Sequence, residues 1–98
     1  MKKIEVLYYE GITEGLYVQF KIGKKVEWME VPVSNDDIFD YLKNHYPEEV
    51  AEIEIEDVDA LSGVYSKYDA EIDNYFISDA LSDAYPGYEV DNGFIKEI

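Results

Sequence analysis

The feature of this 98-residue chain that most restricts how it can fold is where its charge falls. Residues 1–33 carry five glutamates (Glu5, Glu10, Glu14, Glu27, Glu30) and five lysines (Lys2, Lys3, Lys21, Lys24, Lys25), and sum to zero. Residues 34–98 carry eighteen acids against three lysines, which supplies the whole formal charge of −15. A magnitude of about 2 to 8 is enough to keep a small domain soluble, and like charge beyond that opposes compaction. The second part of the chain must fold against its own repulsion; the first part need not. With 47% hydrophobic and 15% aromatic residues, the chain still has the material of a globular protein rather than of an acidic tail. We read residues 1–98 as a single domain.

The neutral part has the period of a sheet. "KKIEVLYY" alternates Ile4, Val6 and Tyr8 against Glu5, Leu7 and Tyr9. After the turn "GITEG", Leu16, Val18, Phe20 and Ile22 form one face of a second strand, opposite Tyr17, Gln19 and Lys21. "VEWMEVPV" gives a third strand, with Pro32 marking a strand end or sheet edge. This is an antiparallel three-stranded meander.

Helical signals begin at Ser34, an N-cap followed by Asp36 and Asp37 in the first turn, with Val33 placed to staple against Ile38. Ile38, Phe39, Leu42 and Tyr46 share one face of this helix, and Pro47 closes it. A second helix is expected from Asp73 as N-cap, with Ile72 and Ile77 at the staple positions and Pro86-Gly87 as the stop. Between them, "EEVAEIEIEDVD" alternates Ile53 and Ile55 with Glu52, Glu54 and Glu56, which suits a strand, although "PEEVAE" also resembles a helical first turn. Residues 59–71 give no clear period and read as irregular. Asn92-Gly93 predicts a C-terminal hairpin. The fold class is α+β: a small antiparallel sheet with a central acidic strand and a C-terminal hairpin, covered on one face by two helices.

The acidic stretch holds seven carboxylates and no cation in twelve residues: Glu48, Glu49, Glu52, Glu54, Glu56, Asp57 and Asp59. On a strand, Glu52, Glu54 and Glu56 would project about 6.5 to 7 Å apart in a row. Asp79 and Asp83 add a like-charge pair one helical turn apart, at a cost of about 0.2 to 0.5 kcal/mol. Ten tyrosines accompany the acids, and Tyr75 and Tyr85 flank the polar side of the second helix. Tyrosine gives a large contact area at low entropic cost, as interfaces require.

Other chemistry has little support. No cysteine is present, which excludes disulfides, thiolate metal sites and a cysteine nucleophile. "DVDALSG" starts like a calcium loop, but Leu61 and Ser62 occupy positions that need a ligand and a glycine. The single histidine, His45, sits where an imidazolium favours a helix C-terminus. No nucleophile motif, phosphate loop or arginine clamp occurs. We therefore expect neither an enzyme nor a cofactor. Nucleic acid and anionic membranes would be repelled as direct ligands, and the absence of a leader-like or membrane-spanning run suggests a soluble, cytoplasmic protein.

In size and composition the chain is similar in character to the small acidic proteins that phages and mobile elements use against host defences, such as anti-restriction and anti-CRISPR proteins. It is similar also to the acidic immunity proteins that block nucleases. The resemblance implies a nucleic-acid mimic that inhibits a basic nucleic-acid-binding protein or nuclease. Glu48, Glu49, Glu52, Glu54, Glu56, Asp57, Asp59, Tyr75, Asp79, Asp83 and Tyr85 are then its contact residues. The alternatives are a non-catalytic interaction module that works through its neutral sheet, by the edge near Pro32 or by self-association, and a weak divalent-cation binder.

Overall fold

A computed structural model of the chain describes residues 2–91. The expected meander is present. β1 (Lys3–Ile12), β2 (Gly15–Ile22) and β3 (Lys25–Pro32) pair antiparallel, and Gly23, at φ 62°, makes the second turn. Gly15 is required for a different reason. A Cβ there would lie 2.5 Å from the Val31 carbonyl oxygen, so only glycine lets β2 and β3 close at this end.

The register departs from simple alternation at one point. A bulge between Val6 and Tyr8 adds a residue to β1, so Val6 pairs with Phe20 but Tyr8 pairs with Gln19. Tyr9, not Tyr8, therefore takes the core-facing side, and Tyr8 lies exposed and donates to Glu10 at 3.3 Å.

β4 (Glu89–Asp91) completes the sheet in the order β3-β2-β1-β4 and runs parallel to β1, so the sheet is mixed rather than wholly antiparallel. The Asn92-Gly93 hairpin turn lies outside the described residues.

Among the described residues, four helices follow β3. α1 (Asn35–His45) opens with a reciprocal capping box: the Asp37 N–H donates to Ser34 Oγ at 3.2 Å, and the Ser34 N–H donates to Asp37 Oδ2 at 2.9 Å. The acidic stretch is not a strand. Pro47 starts the single turn α2 (Pro47–Val50), residues 51–57 run through turns, and α3 (Val58–Lys67) begins where Asp57 accepts the Ala60 N–H at 3.2 Å. The physical reason is local. The Ile53 N–H bonds to the Val50 carbonyl and the Asp57 N–H to the Glu54 carbonyl, so the backbone groups a ladder would use are spent within the segment. Residues 59–71 are likewise not irregular; they form most of α3 and the first turn of α4 (Asp69–Ala84). α4 starts four residues before Asp73, because Tyr68 ends α3 and begins α4 at once. Asp73 is thus an interior helical residue and caps nothing.

Two cores result. In the first, Ile4, Val6, Leu16, Val18, Phe20 and Val31 of the sheet close against Ile77 and Leu81 of α4. In the second, Tyr41, Leu42, Val50, Leu61 and Val64 of α1–α3 close against Ile72 of α4. Phe76 packs against both. α4 is the shared spine of a body measuring 47 × 24 × 24 Å. No helix among the described residues is long and apolar enough to cross a membrane.

Candidate functional site

The helical half contains an arrangement that the sequence did not reveal: three of its carboxylates are held by phenols. Glu71 accepts from Tyr41 at 2.6 Å and from Tyr46 at 2.7 and 3.0 Å. Glu49 accepts from Tyr68 at 2.6 Å. The Tyr46 and Tyr68 rings stack with centroids 4.0 Å apart, so one aromatic pair carries both carboxylates. Asp73, only 7% exposed, accepts from Tyr65 at 2.6 Å and from Tyr9 of the sheet. Bonds this short between a phenol and a carboxylate are of the charge-assisted kind.

Five tyrosines thus serve three carboxylates. Among the described residues, one ion pair occurs, Lys67 to Glu49 at 3.3 Å. The electrostatic consequences follow the geometry. Tyr68 first, then Lys67, holds the Glu49 carboxyl below the usual range. Burial pushes Asp73 up, against the opposing pull of Tyr65 and Tyr9. Burial, with Asp73 adding to it, raises Tyr9 to about 12 and Tyr65 further. A phenol differs from an ammonium in one decisive respect. It fixes a carboxylate in place without cancelling its charge.

Nine of the eleven residues proposed from sequence fall into three groups. Glu48, Glu52, Glu54, Glu56 and Asp59 are exposed, on α2, on the turns and in the first turn of α3. They form no evenly spaced strand row, because no strand is there. Glu49 and Asp57 have structural duties, as the acceptor for Tyr68 and as the cap of α3. Tyr75 and Asp79 belong to a third group on α4. With Glu71, Asn74, Ser78 and Tyr41 they line an open groove of about 440 Å³ between α1 and α4.

Tyr75 is 48% exposed and sits in an aromatic cluster with Tyr41, His45 and Phe76. His45 stacks on Tyr41 at 4.2 Å at the end of α1. Asp83 is exposed one turn beyond Asp79, about 18 Å along the helix from Glu71. Tyr85 is half-buried with its ring edge-on to Phe20 of the sheet core. The acidic stretch is joined to the start of α4 through Glu49–Tyr68 and Tyr46–Glu71, while Asp79 and Asp83 lie toward its other end. The negative charge therefore runs along the helical half rather than collecting at one point.

Among the described residues, nothing packs over the sheet face that carries Trp28, Val26 and Tyr8. Trp28 (45% exposed) stacks on Tyr17 with centroids 4.7 Å apart, and Val26 (51%) and Tyr8 lie exposed nearby. Among the described residues, no three His, Asp or Glu side chains gather as a metal site. No protein-family model matches the chain, nor does a curated protein or a solved structure.

Proposed function

We propose that this is a non-catalytic inhibitor-type binding protein that acts in the cytoplasm. Its acidic helical half occupies the basic nucleic-acid-binding surface of a partner, such as a nuclease of a restriction, CRISPR or toxin system. The observation that supports this reading is the phenol-held carboxylates. Fixing Glu49, Glu71 and Asp73 largely with neutral donors keeps the skeleton of the acidic half rigid while its charge stays uncancelled. Glu48, Glu52, Glu54, Glu56 and Asp59 then project from that skeleton as exposed charge. Long-range attraction speeds encounter with a basic groove, and the Tyr75 and Asp79 groove supplies short-range contact that slows release.

The test is a pull-down from host lysate at low salt, then a nucleic-acid cleavage assay on the captured protein. Replacing Glu52, Glu54 and Glu56 together by Gln is expected to weaken capture. Wild-type affinity is expected to fall at least about tenfold between about 0.05 and 0.5 M salt. Salt-insensitive capture, unaffected by the triple substitution, would overturn the reading.

A second reading has its own observation, the uncovered Trp28, Tyr17, Val26 and Tyr8 face on the neutral sheet. There the protein is an interaction module and its acidity serves solubility. Trp28→Ala, and not the Gln triple, would then abolish capture.

A further inference from the structure

A second cavity, of about 300 Å³, opens between the β1–β2 end of the sheet and α1, α3 and α4. Its walls include Ile12, Leu16, Val33 and Ile38, and Tyr65 and Asp73 line it together, joined by their 2.6 Å hydrogen bond. Its size is at the lower end of ligand pockets, so it suits one side chain or a small molecule. Among the described residues, two acids, Glu14 and Asp73, line it, and no cation does. A cavity with an apolar wall of Ile12, Leu16, Val33 and Ile38, polar groups at Asn35 and Ser62, and a nine-tenths buried carboxylate is complementary to an alkyl chain ending in a positive charge.

We propose that this cavity receives a lysine side chain of the partner, its methylenes against Ile12 and Ile38 and its ammonium on the Asp73 carboxylate. The acceptor capacity is present. A carboxylate offers about four lone-pair sites, and Tyr65 and Tyr9 account for two donors. The need is present too, since burial disfavours the ionised form despite those two phenols, and an entering ammonium compensates it. A primary ammonium is preferred over a guanidinium because its compact charge presents donors at the end of a slender chain. The inference rests on the proposed function only for the origin of the lysine, in a basic partner surface.

The test needs no partner, so its failure and the failure of the inhibitor reading are separate results. Nα-acetyl-lysine methylamide is titrated into the full chain while the Ile12 and Ile38 methyl signals are followed by NMR. Saturable shifts are expected, with the norleucine analogue, which has the chain but no charge, producing none. Asp73→Asn is expected to weaken binding about tenfold or more. Gly11→Phe blocks the slot by a different route. Gly11 pairs with core-facing Leu16 and lines the cavity, and a Cβ there meets nothing within 4 Å, so the side chain starts into the cavity without a clash at its first atom; far-UV circular dichroism against wild type checks that each variant folds. Absence of saturable shifts, equal binding of the norleucine analogue, or unaltered binding in Gly11→Phe overturns the proposal. Tenfold tighter binding of a free diamine such as cadaverine overturns its assignment to a protein-borne lysine.

Discussion

The two halves of this molecule close their cores differently. In the sheet half, apolar side chains from three strands meet Ile77 and Leu81, and residues 1–33, which form those strands, sum to zero charge. In the helical half, the apolar cluster is smaller and its margin is sealed by tyrosines that pack with their rings and bond carboxylates with their hydroxyls. The difference shows how a strongly acidic chain can still fold. Each of these carboxylates is drawn to the core margin by a donor that also contributes aromatic area, so repulsion is tolerated without counterions. The same device costs nothing in net charge, which a binder of basic surfaces must keep.

The strongest challenge to this comparison is to ask whether the halves are independent units. α4 supplies residues to both cores, so one cooperative transition is expected. Leu42→Ala in the helical half and Leu81→Ala in the sheet half, both fully buried, should each cost about 2 to 5 kcal/mol. Urea unfolding of each, followed by Trp28 fluorescence for the sheet and far-UV circular dichroism for the helices, should give coincident midpoints. A helical signal lost well before Trp28 responds in Leu42→Ala would show that α4 does not couple the cores.

The next effect sharpens the contrast through pH. Tyr65→Phe removes a donor from the buried Asp73 carboxylate and is expected to cost about 1 to 3 kcal/mol near neutrality. The folded-state values of Tyr9 and Tyr65 lie above their ordinary value of 10.0. Their stabilising contribution is thus intact below about pH 10 and is lost as the pH rises through about 12, where Tyr9 ionises. Wild-type stability should fall across this window, and Tyr65→Phe should fall less, so the gap between them narrows. A gap that stays constant from pH 8 to pH 11.5 by urea midpoint (~0.3 kcal/mol resolution) would mean the Tyr65 phenol is not what holds α3 to α4 at Asp73.

The sheet half was legible in the sequence because period-2 alternation and turn glycines are local signals. The exception was the bulge at Leu7, which depends on pairing with β2 and moved Tyr9 inward, where it reaches Asp73. In the helical half, Ser34 and the capping box were visible for the same local reason. The acidic segment misled because Ile53 and Ile55 alternate as in a strand, yet alternation specifies a strand only where a neighbour offers a ladder. Asp73 followed a similar course. Read as a cap from what comes after it, it lies within a helix whose start is set by Tyr68. The candidate site was legible only as an excess of acids and tyrosines. Which tyrosine meets which carboxylate spans separations of 8 (Tyr65 to Asp73) to 64 residues (Tyr9 to Asp73), and no local pattern encodes that.

The smallest expected effect bears most directly on why the charge is divided as it is. Glu52, Glu54 and Glu56 are exposed, and no described residue donates to their carboxylates, so replacing all three by Gln removes repulsion and breaks no side-chain bond. Stability should rise by a few tenths of a kcal/mol at low salt, on the scale of exposed charge pairs. A matching triple in the sheet half, Glu5→Gln, Glu27→Gln and Glu30→Gln, lowers the net charge equally but leaves five lysines of residues 1–33 against two glutamates. Its stability should stay level or fall. The contrast should vanish near 1 M salt, where screening reaches about 3 Å. Should both triples stabilise equally, the relevant quantity is total charge alone, and its placement after Val33 carries no energetic meaning. Should only the helical triple stabilise, the exposed acids are retained at a cost to the fold, as expected of groups that serve a partner.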